Sequence, residues 1–240
     1  MPDVRQRAAV LAALNTVSNA QHLQLKSKGA ADNKFWGTTE AVDKALISAY
    51  KTEVKDHYFW QQNAMCCYCS SEIQPNKRGY DAEHIIDKDE HPHLMFELDN
   101  IAASCIVCNG HKSNKNVLVA AGKPGAVPKA SADYLLVHPH LDEWGDYLTY
   151  DVYDRVVAIP ENAKGQKTIE ICGIKAINAT RLARRFSANQ RSQAYKLLVK
   201  FYDYKTKRKQ QEILTALEGL AQHSLESAAL IDDLRALLDV

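Results

Sequence analysis

Apolar residues recur every three to four positions through much of the chain, and this spacing predicts a mostly helical fold. The spacing is clearest over residues 41–60, where the recurring residues are Val42, Leu46, Ala49, Val54, Tyr58 and Phe59. A long helix is predicted over 178–204, and two more over 207–223 and 225–238. A short apolar run over 8–14 predicts an amphipathic first helix. Helices are therefore expected at both ends of the chain.

Between these helical ends, the pattern changes to short segments rich in turn residues. The segment 65–116 holds most of the cysteines and several histidines, which is typical of a small fold fixed by metal ligands. Alternation over 147–152 and 155–159 predicts a β-hairpin, and 168–172 reads as a short strand. The segment 121–129 contains two Gly and two Pro, which predicts a linker or surface loop. The chain is expected to form a single compact unit, in which this segment would be the weakest seam, that is, the place where it is most easily divided.

Composition narrows the class of protein. The chain is 46% hydrophobic and 25% charged, which is typical of a globular protein and excludes disordered and collagen-like classes. The only candidate targeting segment, 8–14, is far shorter than the roughly 20 apolar residues that a membrane span needs. We therefore expect no membrane association and no cleaved signal peptide. Two Cys-x-x-Cys pairs in such a chain favour metal over disulfides, and hence a reducing, cytoplasmic location.

The net charge of +1 hides a strong local asymmetry. Residues 175–209 carry eleven Lys or Arg and one acid, Asp203, whereas six acids and only Arg235 follow from residue 210 onward. Such a basic segment is a candidate surface for the phosphate backbone of a nucleic acid, with Arg184 and Arg185 as candidate contacts. A solvated helix face rich in Lys and Arg is the alternative interpretation.

Four cysteines have the spacing of a metal site. Cys66 and Cys69 form one pair, and Cys105 and Cys108 form the second. Four thiolates in two such pairs predict a tetrahedral structural zinc site, with no open position for chemistry. Cys67 should point away, because the two-residue spacer places its neighbours on a common turn. Accidental pairing and a redox Cys-x-x-Cys motif remain the alternatives.

A longer motif surrounds these cysteines: Glu83-His84, then Asp99-Asn100-Ile101, then Ser104-Cys105 and Cys108-Asn109 with Lys112. Over residues 66–115 it resembles the zinc-containing branch of the HNH endonucleases, whose core is a β-hairpin and a helix around one divalent metal. Three surrounding segments are similar to the PtuB-like HNH nucleases that accompany an ATPase in Septu-type and retron-linked antiphage systems. The segments are Glu83-His84-Ile85 with Lys88, His93-Leu94-Met95-Phe96, and His138-Pro139 leading to Asp146-Tyr147-Leu148.

The resemblance implies a role for each motif residue. His84 would be the general base, and Glu83 and Asn109 would bind catalytic Mg²⁺ or Mn²⁺ through hard oxygen donors. Asn100 would hold the loop that carries the base by hydrogen bonds to the backbone. Three lysines, Lys88, Lys112 and Lys115, are expected to meet phosphates as point charges.

Three positions depart from the family pattern. Glu83 occupies a position where many relatives carry Asp, and its longer side chain would shift the metal slightly. Asn109 occupies the position of the final His in the HNH motif. Asp87 stands where relatives often have Pro, which puts the rigidity of that loop in doubt.

The expected fold is therefore α+β and mostly helical, with a small ββα-metal core stapled by zinc. The expected segments are an N-terminal helical segment (1–62), the nuclease core (63–120), a linker with a short hairpin (121–174), and a C-terminal helical region (175–240).

The expected function is metal-dependent endonuclease activity, with DNA favoured over RNA as substrate. The resemblance further implies an effector role in a defence complex with an ATPase and, in retron-linked systems, a reverse transcriptase with its msDNA. Nucleotide control would come from that partner, because the chain has no P-loop motif. Two alternatives stay open: a zinc module that binds nucleic acid or protein without cutting, and a stand-alone mobile-element or restriction HNH enzyme.

Overall fold

The computed structural model describes residues 3–75, 79–221 and 225–239. Helices predominate in this α+β fold, and the described strands form two separate two-stranded sheets. The helices are α1 (Asn19–Ala31), α2 (Ala41–Gln61), α3 (Ile106–Lys112), α4 (Ala163–Ile171), α5 (Ile174–Ala183), α6 (Arg191–Asp203), α7 (Lys207–Ala221) and α8 (Leu225–Asp239). The strands are β1 (Tyr80–His84), β2 (Ile101–Cys105), β3 (Leu148–Tyr150) and β4 (Val156–Ala158). Within the described ranges, every helix is too short or too polar to cross a bilayer.

The chain divides into two compact units. The first unit comprises Met1–Thr149 and Val157–Gly173, and the second comprises Tyr150–Val156 and Ile174–Val240. The prediction of one unit with its weakest seam at 121–129 is therefore wrong. The ends of that loop are held together, because Val119 N donates to Asp133 O and Leu135 N donates to Val117 O.

The predicted helix over 8–14 is also wrong. This segment is an irregular arm whose backbone bonds to distant groups instead of to itself. Ala8 N donates to Pro139 O at 3.0 Å, and Leu11 N donates to the Tyr58 hydroxyl at 3.3 Å. These tertiary hydrogen bonds satisfy groups that a helix would otherwise pair internally.

Helix α2 confirms the helix predicted over 41–60, but the first residue predicted for its buried face is exposed. Val42 is 73% exposed, whereas the neighbouring Asp43 is buried. The Asp43 carboxylate forms an ion pair with Lys28 on α1. Further along α2, Tyr50, Val54 and Tyr58 are fully buried in the core of the first unit.

Strands β1 and β2 pair antiparallel, from Tyr80 opposite Cys105 to His84 opposite Ile101. Helix α3 follows β2 without a loop, and the Cys105 sulfur caps it by accepting from Cys108 N. Helix α3 also packs against both strands, so the two strands and the short helix form one small unit.

The predicted hairpin over 147–159 is confirmed by β3 and β4, whereas the predicted strand over 168–172 is wrong. Residues 168–171 lie in α4 and Cys172 is its C-cap. The start of this helix is fixed by the Asn162 side chain, which accepts from Gly165 N at 2.9 Å. Gly165, Thr168 and Ile171 form the buried face at helical spacing. A Cβ at Gly165 would lie 2.3 Å from Tyr147 O, so this close approach requires glycine.

The predicted helix over 178–204 is two helices, α5 and α6. The break lies over 184–190, where Ser187 O accepts from Gln190 N and Arg191 N, and the Ser187 hydroxyl donates to Asn189 Oδ1. Apolar spacing continues across the break because Phe186 and the two helices pack into one core, shared with α7 and α8. Helices α7 and α8 confirm the last two predicted helices, although residues 222 and 223 lie outside the described residues.

Candidate functional site

Four sulfur atoms form a cluster at the junction of β2 and α3. The Sγ atoms of Cys66, Cys69, Cys105 and Cys108 all lie within 4.8 Å of one another, and those of Cys69 and Cys105 are 3.9 Å apart. A tetrahedral zinc ion with Zn–S distances of about 2.3 Å requires sulfurs about 3.8 Å apart. The cluster therefore has the donor set and the dimensions to hold a metal ion such as zinc.

The surroundings of the four sulfurs suit a structural metal. Cys105 N donates to the Cys66 sulfur at 3.3 Å, and Cys108 N donates to the Cys105 sulfur at 3.4 Å. Backbone N–H groups of this kind stabilise thiolates. Cys67, although fully buried, lies outside the cluster as predicted. A bound ion would tie the turn at 66–69 to the start of α3.

His84 ends β1 with its imidazole packed against protein. Its Nε2 lies 3.0 Å from the Met95 carbonyl, which can only accept, so Nε2 carries the proton and a neutral ring has Nδ1 unprotonated. Burial, together with the nearby charge of Lys88, lowers the pKa of His84 to about 3. The ring is therefore neutral at physiological pH, with Nδ1 able to accept a proton.

Glu83, the preceding residue, is buried beside a lysine. Lys112 Nζ lies 2.8 Å from Glu83 Oε1, and the two side chains are 1% and 3% exposed. The Tyr68 hydroxyl donates to the same oxygen at 3.1 Å. Burial raises the pKa of Glu83, while Lys112 and Tyr68 act in the opposite direction. Both contacts fall on Oε1, so Oε2 is left for another ligand.

Asn109 reaches the same strand from α3. Its Nδ2 donates to Asp81 Oδ2 at 2.7 Å, which leaves the amide oxygen as an acceptor. Asp81 and Glu83 lie two residues apart on β1, and Asn109 and Lys112 lie three apart on α3. The two-residue period of β1 and the helical spacing of α3 therefore place the two carboxylates of the strand next to the amide and the ammonium group of the helix.

Asn100 is fully buried, and it holds the loop that follows His84. Its Oδ1 accepts from Ile86 N at 2.8 Å, and its Nδ2 donates to Ile86 O and to Leu94 O. The expected backbone hydrogen bonds are therefore present.

A cleft of about 330 Å³ opens beside these residues. Glu83, His84, Lys88 and Asn109 line it together with Trp36. The Trp36 ring packs edge-on against the His84 imidazole, with centroids 4.4 Å apart. The arrangement provides a proton acceptor, oxygen donors and a cation around one small space.

Lys51 on α2 secures Trp36. Its Nζ donates to Trp36 O at 2.8 Å and lies 4.2 Å from the ring centroid. Burial and the neighbouring Lys88 lower the pKa of Lys51 to about 8.

The structure corrects one of the predicted phosphate contacts. Lys112 is buried and bonds to Glu83 and to His84 O at 2.8 Å, because its chain points inward along the α3 face that meets β1. Lys115 is exposed and donates to Ile171 O at 3.1 Å, so its phosphate contact stays a prediction. Of the three lysines, Lys88 alone lines the cleft, and there its Nζ pairs with Asp89.

The two predicted arginine contacts lie in the second unit. Arg185 forms ion pairs with Asp154 and Glu226, so its charge is neutralised within that unit. Arg184 is exposed.

The site residues predicted from the sequence do not include Asp81, Trp36 or Lys51. The period of two along a strand could have placed Asp81 on the same face as Glu83. No local signal points to Trp36 and Lys51, which reach the site through the packing of separate elements.

No protein-family model matches the chain, and no curated protein matches it. Its function is therefore inferred from the geometry of the site and from the sequence motif.

Proposed function

We propose that this protein is a metal-dependent HNH endonuclease that hydrolyses phosphodiester bonds at the cleft lined by Glu83, His84 and Asn109. The observation that carries the proposal is that His84, with its Nδ1 unprotonated, shares one cleft with the oxygen donors of Glu83 and Asn109. The four-cysteine cluster at the start of α3 supports a zinc-stapled core of two strands and a helix.

The donor set in the cleft fits a hard divalent cation. Glu83 Oε2 and the amide oxygen of Asn109 are the kind of oxygen ligand that Mg²⁺ and Mn²⁺ prefer, and both residues line the cleft. Asp81 accepts from Asn109 Nδ2 and so orients that amide. When bound there, such a cation would stabilise charge on the phosphoryl oxygens and on the leaving oxygen.

The chain's own residues perform the remaining tasks. His84 Nδ1 takes a proton from the attacking water, while the Met95 carbonyl fixes the ring. A phosphodiester in the cleft brings negative charge beside this ring, which raises its pKa toward the range of an effective base. Asn100 keeps the loop after His84 in place, and Lys88 attracts the phosphate.

DNA is the proposed substrate. The surplus of positive charge over 175–209 supports binding of a polyanion. The ATPase partner, and a defence role with it, stay predictions from the family resemblance.

Plasmid nicking tests the proposal. The purified protein, alone and with proteins encoded by neighbouring genes, is incubated with supercoiled plasmid in Mg²⁺ or Mn²⁺ and without added divalent metal. We expect metal-dependent nicking that falls at least about 10²-fold in His84→Ala, since that is the usual contribution of a general base. His57→Ala is the matched control, because His57 lies on α2 and does not line the cleft.

Asn109 provides a separate test of the cation site. Asn109→Ala should raise the Mg²⁺ concentration needed for half-maximal nicking, whereas Asn109→Asp retains an oxygen ligand and should raise it less. Zinc-loaded, folded protein that never cuts nucleic acid would instead favour the non-cleaving zinc module.

A further inference from the structure

A second pocket lies within the second unit, between α5 and the start of α6. Its volume is about 390 Å³, within the range of about 300–1,000 Å³ that is common for small-molecule sites. The residues that line it are Thr180, Ala183, Arg184, Arg191, Ser192 and Tyr195.

The walls of this pocket combine an apolar floor with two cations. The buried Ala183 forms the floor, and the ring of Tyr195, which is 37% exposed, supplies apolar surface beside it. Arg191 Nε donates to Phe186 O at 3.2 Å, which orients the side chain and leaves its two terminal nitrogens. Arg184 has no carboxylate partner in the part of the chain that the structure describes.

The pocket belongs to a region of unbalanced positive charge. Of the eleven cations over 175–209, Arg185 and Arg208 pair with carboxylates. Lys175, Lys196 and Lys200 lie on the same two helices as the pocket and form no ion pair among the described residues. A ligand of matching chemistry carries negative charge along its length and a flat apolar group that fits beside Tyr195.

We propose that this pocket, which we term the α5–α6 pocket, binds an unpaired nucleotide of single-stranded nucleic acid. The base stacks on Tyr195, and the flanking phosphates contact Arg184 and Arg191. A base inside a duplex cannot present its face to a side chain, whereas an unpaired base can. The inference rests on the proposed nuclease function and narrows its substrate class.

Fluorescence anisotropy with a labelled single-stranded oligonucleotide tests the proposal. The full-length protein carries His84→Ala as background, without added Mg²⁺, so that binding is measured apart from cleavage. Tyr195→Leu, which keeps apolar volume but removes the ring, should weaken binding about tenfold, as expected for the loss of one stacked base. Arg184→Gln with Arg191→Gln should reduce the slope of log affinity against log salt by about 1.4, because each lost phosphate contact contributes about 0.7.

Matched controls separate this pocket from general charge attraction. Arg208→Gln removes one cation from the exposed face of α7 in the same basic segment, and it should change affinity less than twofold. An oligonucleotide with abasic sites should bind the parent protein about tenfold more weakly than the intact strand, and Tyr195→Leu should weaken its binding no further. Zinc content and melting temperature establish that each variant is folded.

Three results would overturn the proposal. Tyr195→Leu could bind the intact strand as tightly as the parent does. A duplex of the same sequence could bind as tightly as the single strand, with the same dependence on the pocket. Polyglutamate could compete as well as the oligonucleotide, which would make an acidic polypeptide the occupant. If the wild-type protein cuts no substrate but Tyr195-dependent binding is found, the nuclease proposal and the substrate assignment fail, while nucleotide binding by the pocket stands.

Discussion

Replacing Lys112 with Met should destabilise the protein by about 3–5 kcal/mol, because it leaves the Glu83 carboxylate buried without its cation. The side chains are 1% and 3% exposed, so water does not screen the charge that remains. The loss is a large fraction of the roughly 5–15 kcal/mol that stabilises a typical domain. Lys112 also donates to His84 O, so its removal frees a backbone acceptor beside the proposed base.

Urea denaturation of the zinc-loaded protein measures this effect, and a double-mutant cycle isolates the pair. Glu83→Gln combined with Lys112→Met removes both charges, so the double variant should be at least about 2 kcal/mol more stable than the sum of the single losses predicts. Lys167→Met is the control, because the Lys167 ion pair with Glu170 is exposed and should contribute less than about 1 kcal/mol. Single losses that add within about 0.5 kcal/mol would refute the buried pair.

Three further predictions follow from other parts of the first unit. Cys66→Ala should release zinc and lower the melting temperature sharply, whereas Cys67→Ala, in a buried position outside the cluster, should retain zinc by elemental analysis. Asn100→Ala should cost about 3 kcal/mol in urea denaturation, because it leaves buried backbone groups without their partner, and a cost near zero would contradict the role assigned to it. Burial lowers the pKa of His140 from 6.5 to about 4, although two backbone carbonyls oppose this shift. The unfolded chain thus binds the extra proton, so His140 should reduce stability by about 2 kcal/mol between pH 7 and pH 5, and His140→Gln should flatten the dependence.

Local patterns predicted most helices, but not where they begin and end. Apolar spacing continues from Phe186 into α6 because both sides of the break face one core, so the break at Ser187 has no periodic signal. The β-branched residues over 168–172 favour a strand by propensity, yet the Asn162 cap and the packing of Thr168 make them helical.

The parts of the candidate site that lie within one sequence motif could be predicted from that motif. The cysteine spacing predicted the sulfur cluster that the structure shows. The role expected of Asn100 predicted the hydrogen bonds that it forms with the backbone. Spacing could not indicate that Lys112 points inward, because side-chain direction depends on how α3 packs against β1. Trp36 comes from a distant turn, so only tertiary structure brings it to His84.

Chemical rescue tests the central claim most directly. His84→Gly leaves space in the cleft for free imidazole, which can replace the missing base while the proposed metal ligands remain. If His84 is the base, imidazole restores metal-dependent nicking in His84→Gly but not in Glu83→Ala. Wild-type nicking by His84→Gly without imidazole would contradict the assignment of the base. Folded, zinc-loaded wild-type protein that cuts neither DNA nor RNA would contradict the nuclease itself.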